Sequence, residues 1–346
     1  MPISSLGRAF TRAVSSVRRL INRTPSPDRG HRDNNRRLFS DLHAQERMLA
    51  DGPRMDFYHA AIGRHIHPGD HVIDLGTGTG ILAAFASRRG AGRVHALDHS
   101  NILKHARTLA AANHIEHVDF VSCHSTEFKL PAPVDVILHE QMGDFLFDEA
   151  MIPNVCDLRD RLLKPGGRIL PACFEFFCEP VQLNTRRHIP YLWNLNVRGY
   201  DFSALEHHRP QDVSYYHLTG NDAALVDRFL AEPAPALTFD LHTVNEASLP
   251  HELRFQRHVT RPGRLDGLAI YFRATVDDDL HLSTAPHDPE RAPHWGYRIL
   301  RCEPADYATG DVIDVRLTVG RWHDLDSWRW NHALAIITPE TAVVSS

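Results

Sequence analysis

Lysine is nearly missing from this chain of 346 residues: Lys104, Lys129 and Lys164 are the three that occur, and arginine carries almost all the positive charge. The bias runs through the whole sequence and marks composition rather than a single site. Cysteine is also scarce. Cys123, Cys156, Cys173, Cys178 and Cys302 are odd in number and show no CxxC or zinc-ligand spacing, which argues against a disulfide framework and fits a reduced, cytoplasmic protein. No apolar run is long enough to span a bilayer. Histidine, by contrast, is abundant at 25. The close pairs His65/His67 and His207/His208 lack a third ligand at a familiar spacing, so they read as surface or capping residues and no metal is expected.

The length suits two domains, and the charge is unevenly placed. Residues 1–37 hold nine arginines against Asp28 and Asp33, a net +7; with −5 for the whole chain, the remainder carries −12. In residues 1–23, which contain no acid, Ile3, Leu6, Phe10, Val14, Val17 and Ile21 share one face at helical spacing. Such a stretch can lie on an anionic membrane surface or act as an organellar presequence, but it lacks the apolar core of a secretory signal. The favoured reading is a flexible basic arm over 1–33, since nothing anchors it to a core. Membrane contact by residues 1–23 is the lesser alternative.

Beyond the arm the periodicity becomes informative. Leu38 to about Arg64 has helical spacing interrupted at Asp51-Gly-Pro53, with Arg54 following directly. His71 to Leu82 then reads as strand, glycine turn and helix start, with Asp74 near the strand end and glycines at 76, 78 and 80. A second strand, Val94 to Leu97, ends at Asp98, an acid placed to receive both hydroxyls of a ribose. A nicotinamide fingerprint would want glycine at Ile81, and Asp74 would repel a pyrophosphate. Adenosine joined to a cationic sulfonium, S-adenosylmethionine, fits better. The alternation continues through a helix at 102–113 and strands at 118–122 and 134–138, then a helix from about Ala150 to Leu163. This predicts an α/β fold with a Rossmann-like, mostly parallel sheet and helices on both faces. After Pro171 short alternating strands take over, as at 174–181, 268–275 and 312–319, and predict an all-β, barrel-like second domain. A stretch from about 190 to 232, carrying Trp193, Tyr200, Phe202, Tyr215 and Tyr216, reads as a helical projection from it. The predicted domains are therefore 34–171 and 172–346.

The strand Val134 to Leu138 leads into Glu140, and a second carboxylate, Glu149, follows nine residues later. Met142-Gly143 turns the loop between them, and Phe145, Leu146 and Phe147 pack one side of it. Two carboxylates at the carboxyl end of a sheet strand can serve acid–base chemistry, hold a metal, or clamp a planar cation; a guanidinium suits the last role because its donors form a rigid fork. The plainer alternative is that Glu149 only favours the N-terminus of the next helix.

These residues resemble the protein arginine methyltransferase family. Glu140-Gln-Met-Gly through Leu-Phe-Asp-Glu149-Ala-Met151 is similar to its two-glutamate loop, and Asp74-Leu-Gly-Thr-Gly-Thr-Gly80 to its cofactor motif. Met48-Leu-Ala-Asp51-Gly-Pro-Arg54 resembles the helix closing over the cofactor, Pro293-His294-Trp295 the Thr-His-Trp segment, and 192–201 the start of the dimerisation arm. The resemblance runs from about residue 38 to the C-terminus. It implies S-adenosyl-L-methionine as cofactor, with Arg54 on its carboxylate, Gly76, Gly78 and Gly80 at its amino-acid end beside Asp74, and Asp98 on its ribose. Thr126 or Glu127 would contact adenine. Glu140 and Glu149 would clamp the substrate guanidinium, His294 and Asp51 would form a dyad passing a proton outward, and Met48, Met151 and Trp295 would shape the acceptor site. It further implies an arginine-containing protein or peptide substrate and a homodimer.

Departures concentrate on the acceptor side. Gln45 stands at the family's cofactor-contacting histidine, Gln141 at a tryptophan, Pro293 at a threonine, and the shorter Asp98 at a glutamate; residues 35–39 lack the aromatic N-terminal pattern. Two alternatives therefore stand beside a protein substrate: a guanidine- or amine-bearing metabolite, and a silent cofactor-binding scaffold. The acidic body would repel nucleic-acid phosphates, and no Asn/Asp-Pro-Pro-aromatic motif of base methylation is present.

Overall fold

The computed structural model describes residues 41–335, so the basic arm and residues 35–39 lie outside them. The chain enters through α1 (Leu42–Ala50) and α2 (Gly52–His65), separated by Asp51. Asp51 caps α2: its carboxylate accepts from Arg54 N at 3.0 Å, and Pro53 occupies the first turn, where its missing N–H costs nothing.

A regular alternation follows: β1 (His71–Leu75), α3 (Ile81–Arg88), β2 (Arg93–Asp98), α4 (Leu103–Ala112), β3 (Val118–Ser122), β4 (Val134–His139), α5 (Met151–Leu162) and β5 (Leu163–Leu170). The strands form one parallel sheet in the order β3-β2-β1-β4-β5. Chain order reverses between β1 and β4, and a crevice for ligands opens at their carboxyl ends. The apolar run of β4 is buried at every position except Asp135, as a strand covered on both faces requires.

At Pro171 the architecture changes. Strands β6 (Cys173–Leu183), β7 (Asn196–Val197), β8 (Tyr200–Asp201), β9 (His217–Gly220), β10 (Val226–Phe229), β11 (Pro235–Asp240), β12 (Glu252–His258), β13 (Gly263–Asp277), β14 (Leu280–Ser283), β15 (Tyr297–Tyr307), β16 (Val312–Arg321) and β17 (Asp324–Leu334) all pair antiparallel. They make a seven-stranded sheet, a three-stranded sheet of β12, β16 and β17, and the small β7–β8 hairpin. The α/β class with a strand-rich second unit is as expected, but no ladder closes the two large sheets into a barrel among the described residues.

The projection differs from expectation in local structure. Residues 192–225 hold short 3-10 turns and the β7–β8 hairpin instead of α-helices. Prolines at 190 and 210 and Gly199 interrupt the stretch, and its aromatics stack on one another: Tyr191 and Trp193 lie parallel at 4.8 Å. Tyr200 is 76% exposed.

Several contacts tie the units together, among them an ion-pair cluster and an aromatic one. The last turn of α2 meets the β13–β14 turn through Arg64–Asp279 at 2.7 Å and His65–Asp277 at 2.9 Å. The loop after β4 inserts Phe147 beside Trp322 (4.4 Å between ring centres) and Phe145 beside Trp328 (5.6 Å).

Candidate active site

The crevice above β1 and β4 is a cavity of about 560 Å³. Its floor is the turn after β1. Gly76 and Gly78 hold positive φ (74° and 54°) and line it, and a Cβ on Gly78 would sit 3.0 Å from Gln45 Oε1. The turn needs glycine here for both backbone shape and close approach. Gly80 plays a different part: it caps α3 in the left-handed region, packed against Phe120, and is not in the cavity wall.

Asp74 also stands behind the wall. Its Oδ2 accepts from Thr77 Oγ1 at 2.6 Å and Ala83 N at 3.1 Å, fastening the turn to α3. Burial raises its pKa to about 6. Asp98 does line the cavity, at the end of β2, and its two oxygens accept from Gly78 N (3.1 Å) and Ser100 N (2.7 Å). Thr126 lines the cavity and Glu127 does not.

Across the crevice, α2 presents Arg54, 5% exposed. Its guanidinium donates to Glu140 Oε2 at 2.7 Å and to Met48 O at 2.9 Å, between the rings of Tyr58 (5.9 Å) and Trp295 (5.8 Å). Burial opposes the Arg54 charge, but Glu140 more than restores it and lifts the pKa above the ordinary value. Glu140 is shifted up by burial, partly offset by Arg54. Glu149 is shifted further up, by burial first and by repulsion from Glu140 second. Arg54, Glu140 and Glu149 thus share one cavity wall.

The loop carrying the two glutamates is held from several sides. Tyr58, one turn after Arg54 on α2, donates its hydroxyl to His139 O at 3.0 Å, and the His139 ring pairs with Pro171 O at 2.7 Å. Leu146 and Ala150 adopt positive φ (77° and 56°), a strained backbone that persists because Phe145 and Phe147 are buried in the second unit. Trp295 Nε1 donates to Met142 O. Trp295 therefore braces the loop from behind and does not line the cavity. Met151 is likewise turned into the core at the start of α5, 1% exposed, whereas Met48 lines the cavity.

The expected dyad takes another form. Asp51 Oδ2 accepts from the backbone N of His294 at 2.7 Å. The His294 Nδ1 is buried without a hydrogen-bond partner, and burial, with the Arg54 charge second, lowers its pKa to about 4. Asp51 thus joins the two units through the His294 backbone, and the neutral ring is not positioned to take a proton from it.

Sequence reasoning did not single out Tyr58 and His139, nor the far wall, where the β16–β17 turn contributes Arg321, His323 and Asp324. Tyr58 lies four residues after Arg54, one helical turn along the same face; the turn from the second unit left no local signal.

A methyltransferase domain model matches residues 72–167. Over 323 residues the chain is 39% identical to protein arginine N-methyltransferase PRMT10 of Arabidopsis thaliana, covering 82% of this chain and 81% of that one. Over 289 residues it is 30% identical to protein arginine N-methyltransferase 6 of Xenopus tropicalis, covering 79% and 84%. The chain belongs to the protein arginine N-methyltransferase family. The fold agrees: a Trypanosoma brucei PRMT1 enzyme–prozyme heterotetrameric complex with AdoHcy superposes with a TM-score of 0.73 at 25% identity, over 87% of this chain and 95% of that one. PRMT10 of Arabidopsis thaliana superposes with a TM-score of 0.70 over 83% and 91%. The protein is an S-adenosylmethionine-dependent enzyme of this family. The cavity fits the cofactor, with a glycine-lined floor and the acid Asp98 at the end of β2. No helix among the described residues is long and apolar enough to cross a membrane.

Proposed function

We propose that the protein methylates the guanidinium of arginine in a protein or peptide, held between Glu140 and Glu149. The observation that carries this reading is the shared wall of two carboxylates and Arg54. With both glutamates ionised the trio has a net charge of −1, which an incoming guanidinium neutralises. Glu140 is already oriented by Arg54, and Glu149 has no ion-pair or hydrogen-bond partner among the described residues. The substrate guanidinium is protonated at neutral pH and has no free nitrogen lone pair; two flanking carboxylates draw its charge away from the reacting nitrogen. S-adenosylmethionine, when bound, supplies an electrophilic sulfonium methyl. Gly76, Gly78, Gln45, Asp98 and Thr126 would hold it, with Asp74 and Gly80 shaping the turn. Glu149, whose surroundings raise its proton affinity, is placed to take the proton that the methylated nitrogen loses. Positioning and preorganised charge supply the acceleration.

The same reading includes an S-adenosylmethionine-binding domain over 34–171, a second domain over 172–346, and a homodimer formed through the 190–232 arm. It also includes an asymmetric dimethyl product, with Met48 crowding one side of the acceptor. Met151, buried in the core, would act only through α5. Incubation with methyl-labelled S-adenosylmethionine and a cell lysate, followed by separation of protein from small molecules, tests the substrate class. Label in arginine of the protein fraction is expected; label confined to small molecules would transfer the chemistry to a metabolite.

A further inference from the structure

A second cavity, of about 600 Å³, lies between residues 191–216 and strands β15 and β17, and it shares no wall residue with the first. Its wall carries three guanidiniums, Arg209, Arg301 and Arg329, against the single carboxylate of Glu303. Arg209 is neutralised by Glu206 and Glu303, both at 2.5 Å. Arg301 is not. It is 8% exposed, stacked 3.9 Å from the centre of the Tyr191 ring, and it donates only to the carbonyls of Ile189 (3.1 Å) and Tyr215 (3.4 Å). The other two buried arginines each face a carboxylate, Arg54 on Glu140 and Arg257 on Glu179. Among the described residues, no carboxylate lies within ion-pair distance of Arg301 or Arg329.

A buried cation without a counter-ion is costly unless something anionic completes it. Two of the five N–H groups of Arg301 are used by protein acceptors, and three remain. Arg329 donates to Asp326 O and Trp328 O through one nitrogen and is exposed at the cavity rim. Tyr216 and Trp330 line the same space with their polar ends already engaged, Tyr216 on Pro210 O and Trp330 on Arg301 O, both at 2.9 Å. What they offer a ligand is ring surface. The volume falls in the range of small-molecule sites.

We propose that this cavity binds a small planar anion, an aromatic or heteroaromatic ring bearing a phosphate or carboxylate. The anion sits on Arg301 and Arg329, and the ring lies along Tyr216 and Trp330. Strand β17 walls both cavities, with Asp324 in the first and Arg329 to His332 in the second. The second cavity is thus a binding site separate from the catalytic one, whatever the methyl acceptor proves to be.

Calorimetry on the full chain saturated with S-adenosylhomocysteine, which blocks the first cavity, tests the assignment. The probes are AMP and indole-3-carboxylate, with adenosine and inorganic phosphate as half-ligands. At least one of the two ring-bearing anions is expected to bind saturably, with both half-ligands roughly tenfold weaker or more, and Arg329→Gln is expected to cost about tenfold. Arg329 is exposed, so this variant keeps the fold where Arg301→Gln risks losing it. Absence of saturable binding by both ring-bearing anions, or binding that Arg329→Gln leaves unchanged, overturns the proposal.

Discussion

Arg54 links the helix that roofs the crevice to the loop that carries its carboxylates. Its side chain spans Met48 O and Glu140, so the helix pair and the two-glutamate loop meet at one guanidinium. Glu149 is the group on which pH should act. Its raised pKa in the free enzyme leaves it partly protonated on the acid side, where it cannot pair with a cation. The limb of log(kcat/KM) that rises with pH should therefore reflect its deprotonation, and the limb should flatten in Glu149→Gln. Values of kcat/KM measured across pH 5–9 would check this; an unchanged rising limb in the variant would assign it to another group. Tyr58→Phe removes one buried hydrogen bond to His139 O and should cost about 1 kcal/mol in urea unfolding, with kcat reduced because the peptide preceding Glu140 loses its anchor. At this scale the sequence is legible where side chains sit at strand ends: Asp98 and Glu140 lie where the pattern puts them. It is less legible where direction matters. His294 meets Asp51 through its backbone, and Trp295 and Met151 face inward, because which way a loop residue points depends on distant packing.

Among the elements, the segment from β4 to α5 shows how the two units cooperate. Its carboxylates belong to the parallel sheet's crevice, but its Phe145 and Phe147 belong to the cluster around Trp322 and Trp328. His139, at the end of β4, is buried neutral with its pKa lowered to about 4 by desolvation. The unfolded chain binds its proton near pH 6.5. Between those values the unfolded state holds more protons, so this residue makes stability fall as pH drops from about 6.5 to about 4, by on the order of 3 kcal/mol. Asp74, raised to about 6, and Asp148, raised to about 7 by burial and by Asp144, act in the opposite sense, making stability fall as pH rises through that range. The difference between wild type and His139→Asn isolates the histidine: the variant's urea midpoint should lose less on acidification. A parallel fall in both proteins would contradict the assignment. Element positions were readable because alternation and helical spacing mark them; β3 runs from Val118 to Ser122 as the pattern predicts. The 190–232 stretch reads as helical but folds as short 3-10 turns and strands, since proline and glycine break the helix that its aromatic spacing suggests.

On the scale of the whole molecule, a parallel sheet supplies the crevice and an antiparallel unit supplies its brace and far wall. The order of units was legible from the change in periodicity at Pro171. The cavity wall from β16–β17 was not, because Arg321 to Asp324 lie 181 to 184 positions from Glu140 in sequence. Deleting residues 195–225 should yield a monomer with little activity, by sedimentation and methyl-transfer assay; a wild-type protein that sediments as a monomer at micromolar concentration would count against a homodimer. The central claim is the role of the two carboxylates, and one comparison tests it most directly. Glu140→Gln and Glu149→Gln keep the shape of the cavity and remove one charge each, so both should retain the fold. Glu149→Gln, which breaks no contact to Arg54, should also bind S-adenosylhomocysteine with near wild-type affinity. Transfer of methyl to an arginine peptide, measured as kcat/KM, should fall at least a hundredfold in each. Near wild-type kcat/KM in both variants would contradict the account.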